Sequence, residues 1–263
     1  MRSTPFDPFE TGCIELLAAV PKKQSRYCFR SALRHIEKAE VLSGIDPAMA
    51  MFRCITAEEE AASGLMHCLR ELDYVGADCL KPRSHIHKHA LIPFVRIIGL
   101  FFGQIFEKNL KEYRVSIKEE DGQRRLMLAI PLFVDGERKW AYPIPPLNIG
   151  VKVGTPATPP SYQSQISAYV DANGAKNIQS YLKKEANLRN KILYAGPDGY
   201  PEVDELRSGF IREKMNHVLI LLQAYLLIEP YNDKQPYVQD ALGAFLAMVG
   251  ALEQRESRSK EPA

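Results

Sequence analysis

Two Asp-Gly pairs, Asp121-Gly122 and Asp135-Gly136, constrain this chain more than any other feature. They punctuate "YRVSIKEEDGQRRLMLAIPLFVDGERKWAYPIP", where each stands between runs rich in Val, Ile, Leu, Phe, Tyr and Trp. Glycine accepts a positive φ without steric cost and aspartate tolerates it, so Asp-Gly between such runs selects the tight hairpin turn. The sequence therefore predicts a three-stranded antiparallel meander within about 113–154, with "NIGVKVG" as its extension. "TPATPPS" (155–161) follows, with three prolines in seven residues, and fits neither a helix nor a central strand. It reads as a linker.

Helical patterning surrounds this insert. A helix over about 26–43 stops at Gly44. A second opens with Asp46 as N-cap and Pro47 at the first helical position, and runs to about Leu72. A third follows Lys81-Pro82. Beyond the linker, helices are predicted over about 162–172, 175–194, 203–228 and 237–252, with Pro230 ending the third of these. The expectation is a mainly α single domain over 1–263, in which 26–112 and 162–252 form one bundle split by the meander. The charged tail 253–263 is expected to fray.

Composition excludes several classes of function. Hydrophobic residues make up 46% and charged residues 25%, enough for a real core in a chain of 263. A formal charge of +2 provides no global field for nucleic acid, so RNA binding would need a local basic patch. The five cysteines are odd in number and include no Cys-x-x-Cys, which argues for reduced thiols and against a zinc ribbon. The apolar stretch 90–106 contains Pro93, Arg96 and Gln104 and is shorter than the roughly 20 residues of a membrane span. "MRSTPFDPFETGCIELL" lacks the apolar core of a secretory leader. A cytoplasmic protein without membrane attachment is expected. Neither phosphate-loop glycine motif nor G-x-S-x-G occurs.

Chemistry concentrates in two segments. "CITAEEEAASGLMHCL" places Met51, Ile55, Ala62, Leu65, Met66 and Leu69 on one stripe, at about 100° per residue. Glu58 falls on that stripe, Glu59 on its flank and Glu60 on the far side. A carboxylate facing a core is costly unless a cation or hydrogen bond meets it, so either partners stand opposite or the pair sits at a wet rim. "RSHIHKH", Arg83 to His89, supplies such partners and holds three of the six histidines. His85, His89, Ile92, Arg96 and Gly103 share a face there, whereas His87 points elsewhere. Histidines at i and i+4 can ligate a metal, but no His-Glu-x-x-His is present, so no metal or cofactor is assigned. As a catalytic element, His89 would move a proton and Arg83 would neutralise a phosphate. With the 2′-hydroxyl of RNA, that pair suffices for metal-free strand cleavage. The plain alternative is a charged helix end that stays wet.

These residues resemble the HEPN superfamily, and within it the abortive-infection V (AbiV)-like branch. "ALRHIEKAEVL" followed by "CITAEEEAASGL" is similar to that family's first two helices with paired glutamates; "HIHKHAL" and "LRNKILYAGPDGYPEV" follow. The resemblance covers about 26–106 and 175–250 and omits the meander. It implies a HEPN-like helical bundle, commonly a homodimer. Many such proteins are metal-independent RNases that use Arg, four to six residues, then His; others are non-catalytic partners in phage-defence systems. The spacing occurs here as Arg83…His89 and as Arg212…His217, while Arg189-Asn190 is followed by Tyr194 in place of His.

The resemblance thus implies an endoribonuclease using Arg83, His89, Arg212, His217, Glu58 and Glu59. Arg212 and His217 differ by about 140° around a helix, so the expected arrangement gathers these residues from several helices into one cleft. His85, His87, Lys88, Arg96, Arg189 and Asn190 would contact RNA. In the meander, Arg114, Lys118, Arg124, Arg125, Arg138 and Lys139 accompany Tyr113, Phe133, Trp140 and Tyr142, a composition that suits single-stranded nucleic acid or plain packing against helices. The alternative function is a non-catalytic dimeric interaction module that binds a protein partner or RNA.

Overall fold

A computed structural model describes residues 6–107, 113–120, 122–149, 162–173 and 202–258, with isolated positions at 182, 192, 194 and 199. The described chain is mainly helical, with one small antiparallel sheet. In order, its elements are α1 (Pro8–Ala19), α2 (Gln24–Leu42), α3 (Pro47–Glu71), a 3-10 turn (Ala77–Cys79) and α4 (His85–Glu107). Strands β1 (Arg114–Glu120), β2 (Gln123–Val134) and β3 (Glu137–Ala141) come next, then α5 (Gln163–Asn173), α6 (Phe210–Ile228) and α7 (Pro236–Arg258).

Local chemistry explains most boundaries. Asp46 Oδ1 accepts from the Met49 amide at 2.9 Å, with Pro47 in the first turn, as its residue types predict. Helix α1 is unpredicted. Its cue is reciprocal capping: Asp7 Oδ1 accepts from the Glu10 amide at 2.8 Å, while Glu10 Oε2 accepts from the Asp7 amide at 2.9 Å. Helix α2 lacks a capping side chain of its own; the Ser25 amide and hydroxyl donate to the Glu71 carboxylate at 3.1 and 2.5 Å. Helix α6 starts at Phe210 rather than 203 because Gly209, at φ 77°, lies in the left-handed region and breaks the helix. Helix α7 continues to Arg258, and 259–263 of the tail expected to fray lie outside the described residues. Glu253 is tied to Lys81 Nζ at 2.8 Å and to His87 Nε2 at 3.3 Å.

The sheet order is β1-β2-β3, with Arg114 opposite Ala129 and Pro131 opposite Trp140. Asp135 and Gly136 take φ of 56° and 79°, the left-handed pair that the second hairpin needs. The third strand ends at Ala141, and 142–149 form no further strand; 150–161 and most of the helix expected over 175–194 lie outside the described residues.

Helix α3 is the hub. It packs along α2 and against α4 and α6. At Gly64 the approach to α2 is so close that a Cβ would stand 2.8 Å from the Phe29 ring. Phe29 in turn stacks on Tyr225 of α6 with centroids 4.7 Å apart. Helix α5 covers α4 and α7, and α1 fills the space between α6 and the sheet. Leu126 to Ile130 of β2 are all buried, so both faces of the central strand are covered. Among the described residues no helix is long and apolar enough to cross a membrane.

Candidate functional site

Consecutive residues on a helix diverge by about 100°, so Glu58 and Glu59 of α3 address different neighbours. Glu58 faces α6 and is completely buried. Its Oε2 accepts from Lys214 Nζ at 2.8 Å, and its Oε1 lies 2.5 Å from His217 Nδ1. Lys214 and His217 stand three apart on α6 and therefore share a face. Burial opposes ionisation of Glu58, but the His217 hydrogen bond and the Lys214 ammonium outweigh it and hold the carboxyl below its ordinary range. The imidazole donates from Nδ1 to the ionised Glu58, which leaves Nε2 on the opposite side of the ring. Arg96 of α4 places a guanidinium nitrogen 3.3 Å from that Nε2. Arg96 is itself exposed, so carboxylate, imidazole and guanidinium form one line from core to surface.

Glu59 faces α4. Its Oε1 is 2.9 Å from His85 Nδ1 and 3.2 Å from His89 Nε2, while its Oε2 accepts from Lys88 Nζ at 2.9 Å. The two imidazoles lie nearly parallel, 6.1 Å apart, as one helical turn dictates. Burial raises this carboxyl's tendency to stay protonated, but contact with His89 and Lys88 overrides it and holds Glu59 well below the usual carboxylate range. His89 is 1% exposed, and neither ring nitrogen is aligned for a hydrogen bond to a described residue.

Glu58 and Glu59 each meet histidines, but in two separate clusters on different sides of α3 rather than in the one cleft expected, and neither spaced Arg–His pair meets. Arg83 precedes α4 and is exposed, without an ion pair or hydrogen bond to a described residue, whereas His89 turns inward to Glu59. Arg212 reaches α1, where Glu10 accepts from its guanidinium at 2.5 and 3.2 Å. The arginine beside His217 is Arg96, which shares no sequence neighbourhood with it. His87 points into the α4–α7 junction: its Nδ1 accepts from the Lys81 amide at 3.3 Å, and burial draws its pKa down. Lys88 serves Glu59. Arg189 and Asn190 lie outside the described residues.

Two participants escape sequence reasoning, Lys214 and Glu10. Lys214 had a signal, since a core-facing Glu58 demands a cation and Lys214 shares the face of His217. On the sheet, Arg114 and Arg138 flank the Trp140 ring at 4.5 and 4.7 Å, and Lys118 covers Tyr142 at 3.8 Å. These aromatic faces meet the sheet's own cations instead of standing open as a stacking platform. No protein-family model matches the chain, and comparison with curated proteins and with solved structures found no match.

Proposed function

We propose that this chain is a HEPN-like endoribonuclease of the AbiV-like kind, cleaving RNA without a metal in a cytoplasmic phage-defence or toxin-type system. The observation that carries this reading is the Glu58–His217–Arg96 line. A carboxylate on Nδ1 fixes the tautomer and stabilises the imidazolium that a base becomes, and the opposite Nε2, on a buried ring, stands beside the exposed Arg96. A backbone phosphate that draws the Arg96 guanidinium onto itself frees that nitrogen to take the proton of the adjacent 2′-hydroxyl. The alkoxide attacks phosphorus, Arg96 neutralises the charge that builds on the phosphoryl oxygens, and the imidazolium returns a proton to the departing 5′-oxygen. The products are a 2′,3′-cyclic phosphate and a free 5′-hydroxyl. Lys214 holds the second oxygen of Glu58 and so positions the pair.

The test is cleavage of a mixed single-stranded RNA in EDTA. His217→Ala and Arg96→Ala are each expected to lose about 100-fold or more. Arg83→Ala, remote from the line, should cleave as the parent does. Cleavage that survives in His217→Ala, or that stops in EDTA, refutes the assignment. Cleavage by no sample leaves the non-catalytic helical module, homodimeric or bound to another protein, as the reading to pursue.

A further inference from the structure

We infer that Glu59, His85 and His89 form a binding site for a divalent transition-metal ion of the zinc class, separate from the Glu58–His217–Arg96 line. The ligand atoms, Glu59 Oε1, His85 Nδ1 and His89 Nε2, all lie within 4.8 Å of one another. Oε1 stands 2.9 and 3.2 Å from the two nitrogens. An ion bonded at about 2.0–2.2 Å sets adjacent ligands roughly 3 Å apart, so little movement separates the present arrangement from a coordinating one. The three groups sit on two helices rather than on loops. His85 and His89 are one turn apart on α4, and Glu59 is held on α3, the hub of the bundle.

His89 itself adds to this. It is buried, its Nδ1 has no hydrogen-bond partner among the described residues, and its Nε2 has the 3.2 Å contact with Glu59 Oε1, which is not aligned as a hydrogen bond. A buried imidazole in that state is costly, and an ion on Nε2 would satisfy one of its two nitrogens. Two imidazoles and one carboxylate form a donor set for zinc, iron(II), cobalt, nickel or copper, and not for magnesium or calcium, which prefer all-oxygen sites. The His85 side chain is 52% exposed, which leaves a route in and room for water at a further coordination position. Lys88 holds Oε2 at 2.9 Å and leaves Oε1 facing the imidazoles. Its charge opposes the incoming ion, so the site binds reversibly and more weakly than a closed structural zinc site. Once bound, the ion would clamp the first turn of α4 to α3.

Protein stripped with EDTA and dialysed would be titrated with ZnCl2 by calorimetry, and with CoCl2 while the visible spectrum is followed. One ion per chain is expected, with Co2+ showing d–d bands and no thiolate charge-transfer band. His85→Ala, at a half-exposed position that leaves the fold intact by circular dichroism, should bind zinc at least about 100-fold more weakly. RNA cleavage in EDTA is untouched by the outcome, because no step at His217 uses this ion. An absence of saturable zinc binding by the parent overturns the inference. So does equal affinity in His85→Ala, or a cobalt–thiolate band that places the ion on a cysteine.

Discussion

Lys214→Met is the sharpest perturbation of the buried network. Lys214 and Glu58 are 3% and 0% exposed at their side chains, so water screens neither. Removing one partner of such a pair leaves an uncompensated buried charge and costs about 3–5 kcal/mol. The His217 hydrogen bond to the other carboxylate oxygen, at 2.5 Å, remains in the variant, which places the loss near the lower figure, about 3 kcal/mol. For a chain of this size each kcal/mol moves the midpoint by about 2–4 °C, so Tm should fall by about 6–12 °C in a calorimetric scan at pH 7. Glu58→Gln added to Lys214→Met removes the stranded charge and should recover most of that loss. Acid behaviour supplies the second readout. The folded pKa of Glu58 lies below its ordinary value of about 4.3. Its contribution is therefore complete above that pH and disappears as the pH falls through the folded value. Lys214→Met lifts the folded pKa toward the ordinary one and should flatten the loss of stability below about pH 4.3. A single variant that melts within about 2 °C of the parent would refute the claim that this pair is buried and coupled.

Three further outcomes follow from the packing. Gly64→Ala should destabilise by about 1–3 kcal/mol in urea, because the new methyl meets the Phe29 ring at 2.8 Å and the Ser25 carbonyl at 3.1 Å; a gain, as helix propensity alone predicts, would contradict that close approach. Thiol labelling of the native protein should mark exposed Cys79 first. Burial pushes Cys13 and Cys28 up to about 11, Cys54 up to about 12 and Cys68 higher than its ordinary value, so mass mapping should find these only slowly or after denaturation. Glu253→Gln should cost less than about 1 kcal/mol and lose its effect in 1 M NaCl, since the Lys81 and Glu253 side chains are 57% and 33% exposed; a larger, salt-independent loss would mean that His87 carries the junction.

Much of this architecture is legible because its signals are local. Asp46-Pro47 announces the start of α3, and Asp135-Gly136 announces a hairpin, because capping and turn chemistry act within four residues. Helix α1 carries an equally local cue, Asp7 with Glu10 three residues on and Pro8 at its first position, but its 12 residues follow closely on Pro5 and show no long apolar period. The site was legible by face and not by partner. Helical geometry puts Glu58 on the core side of α3, and His85 with His89 and Arg96 on one side of α4. It does not reveal that Arg96 meets a histidine 121 positions away or that Arg212 turns to Glu10. Spacing along one helix fixes angles about its axis, whereas ion-pair choice depends on which helix packs opposite, a consequence of the whole bundle.

That packing gives the consecutive glutamates their consequence. Glu58 and Glu59 share one turn of α3, yet their side chains bind different helices, α6 through Lys214 and His217 and α4 through His85, His89 and Lys88. Arg96 closes the loop from α4 back to His217. A rotation of α3 that improved one set of contacts would degrade the other, so the two carboxylates fix the helix about its axis in a way that apolar packing, tolerant of small rotations, does not. Both carboxylates are held ionised against burial, and each depends on cations from another element. The same constraint keeps the His217 Nε2 beside Arg96 instead of letting the imidazole turn. Buried charge here costs stability and specifies geometry, and a proton-transfer group needs geometry first.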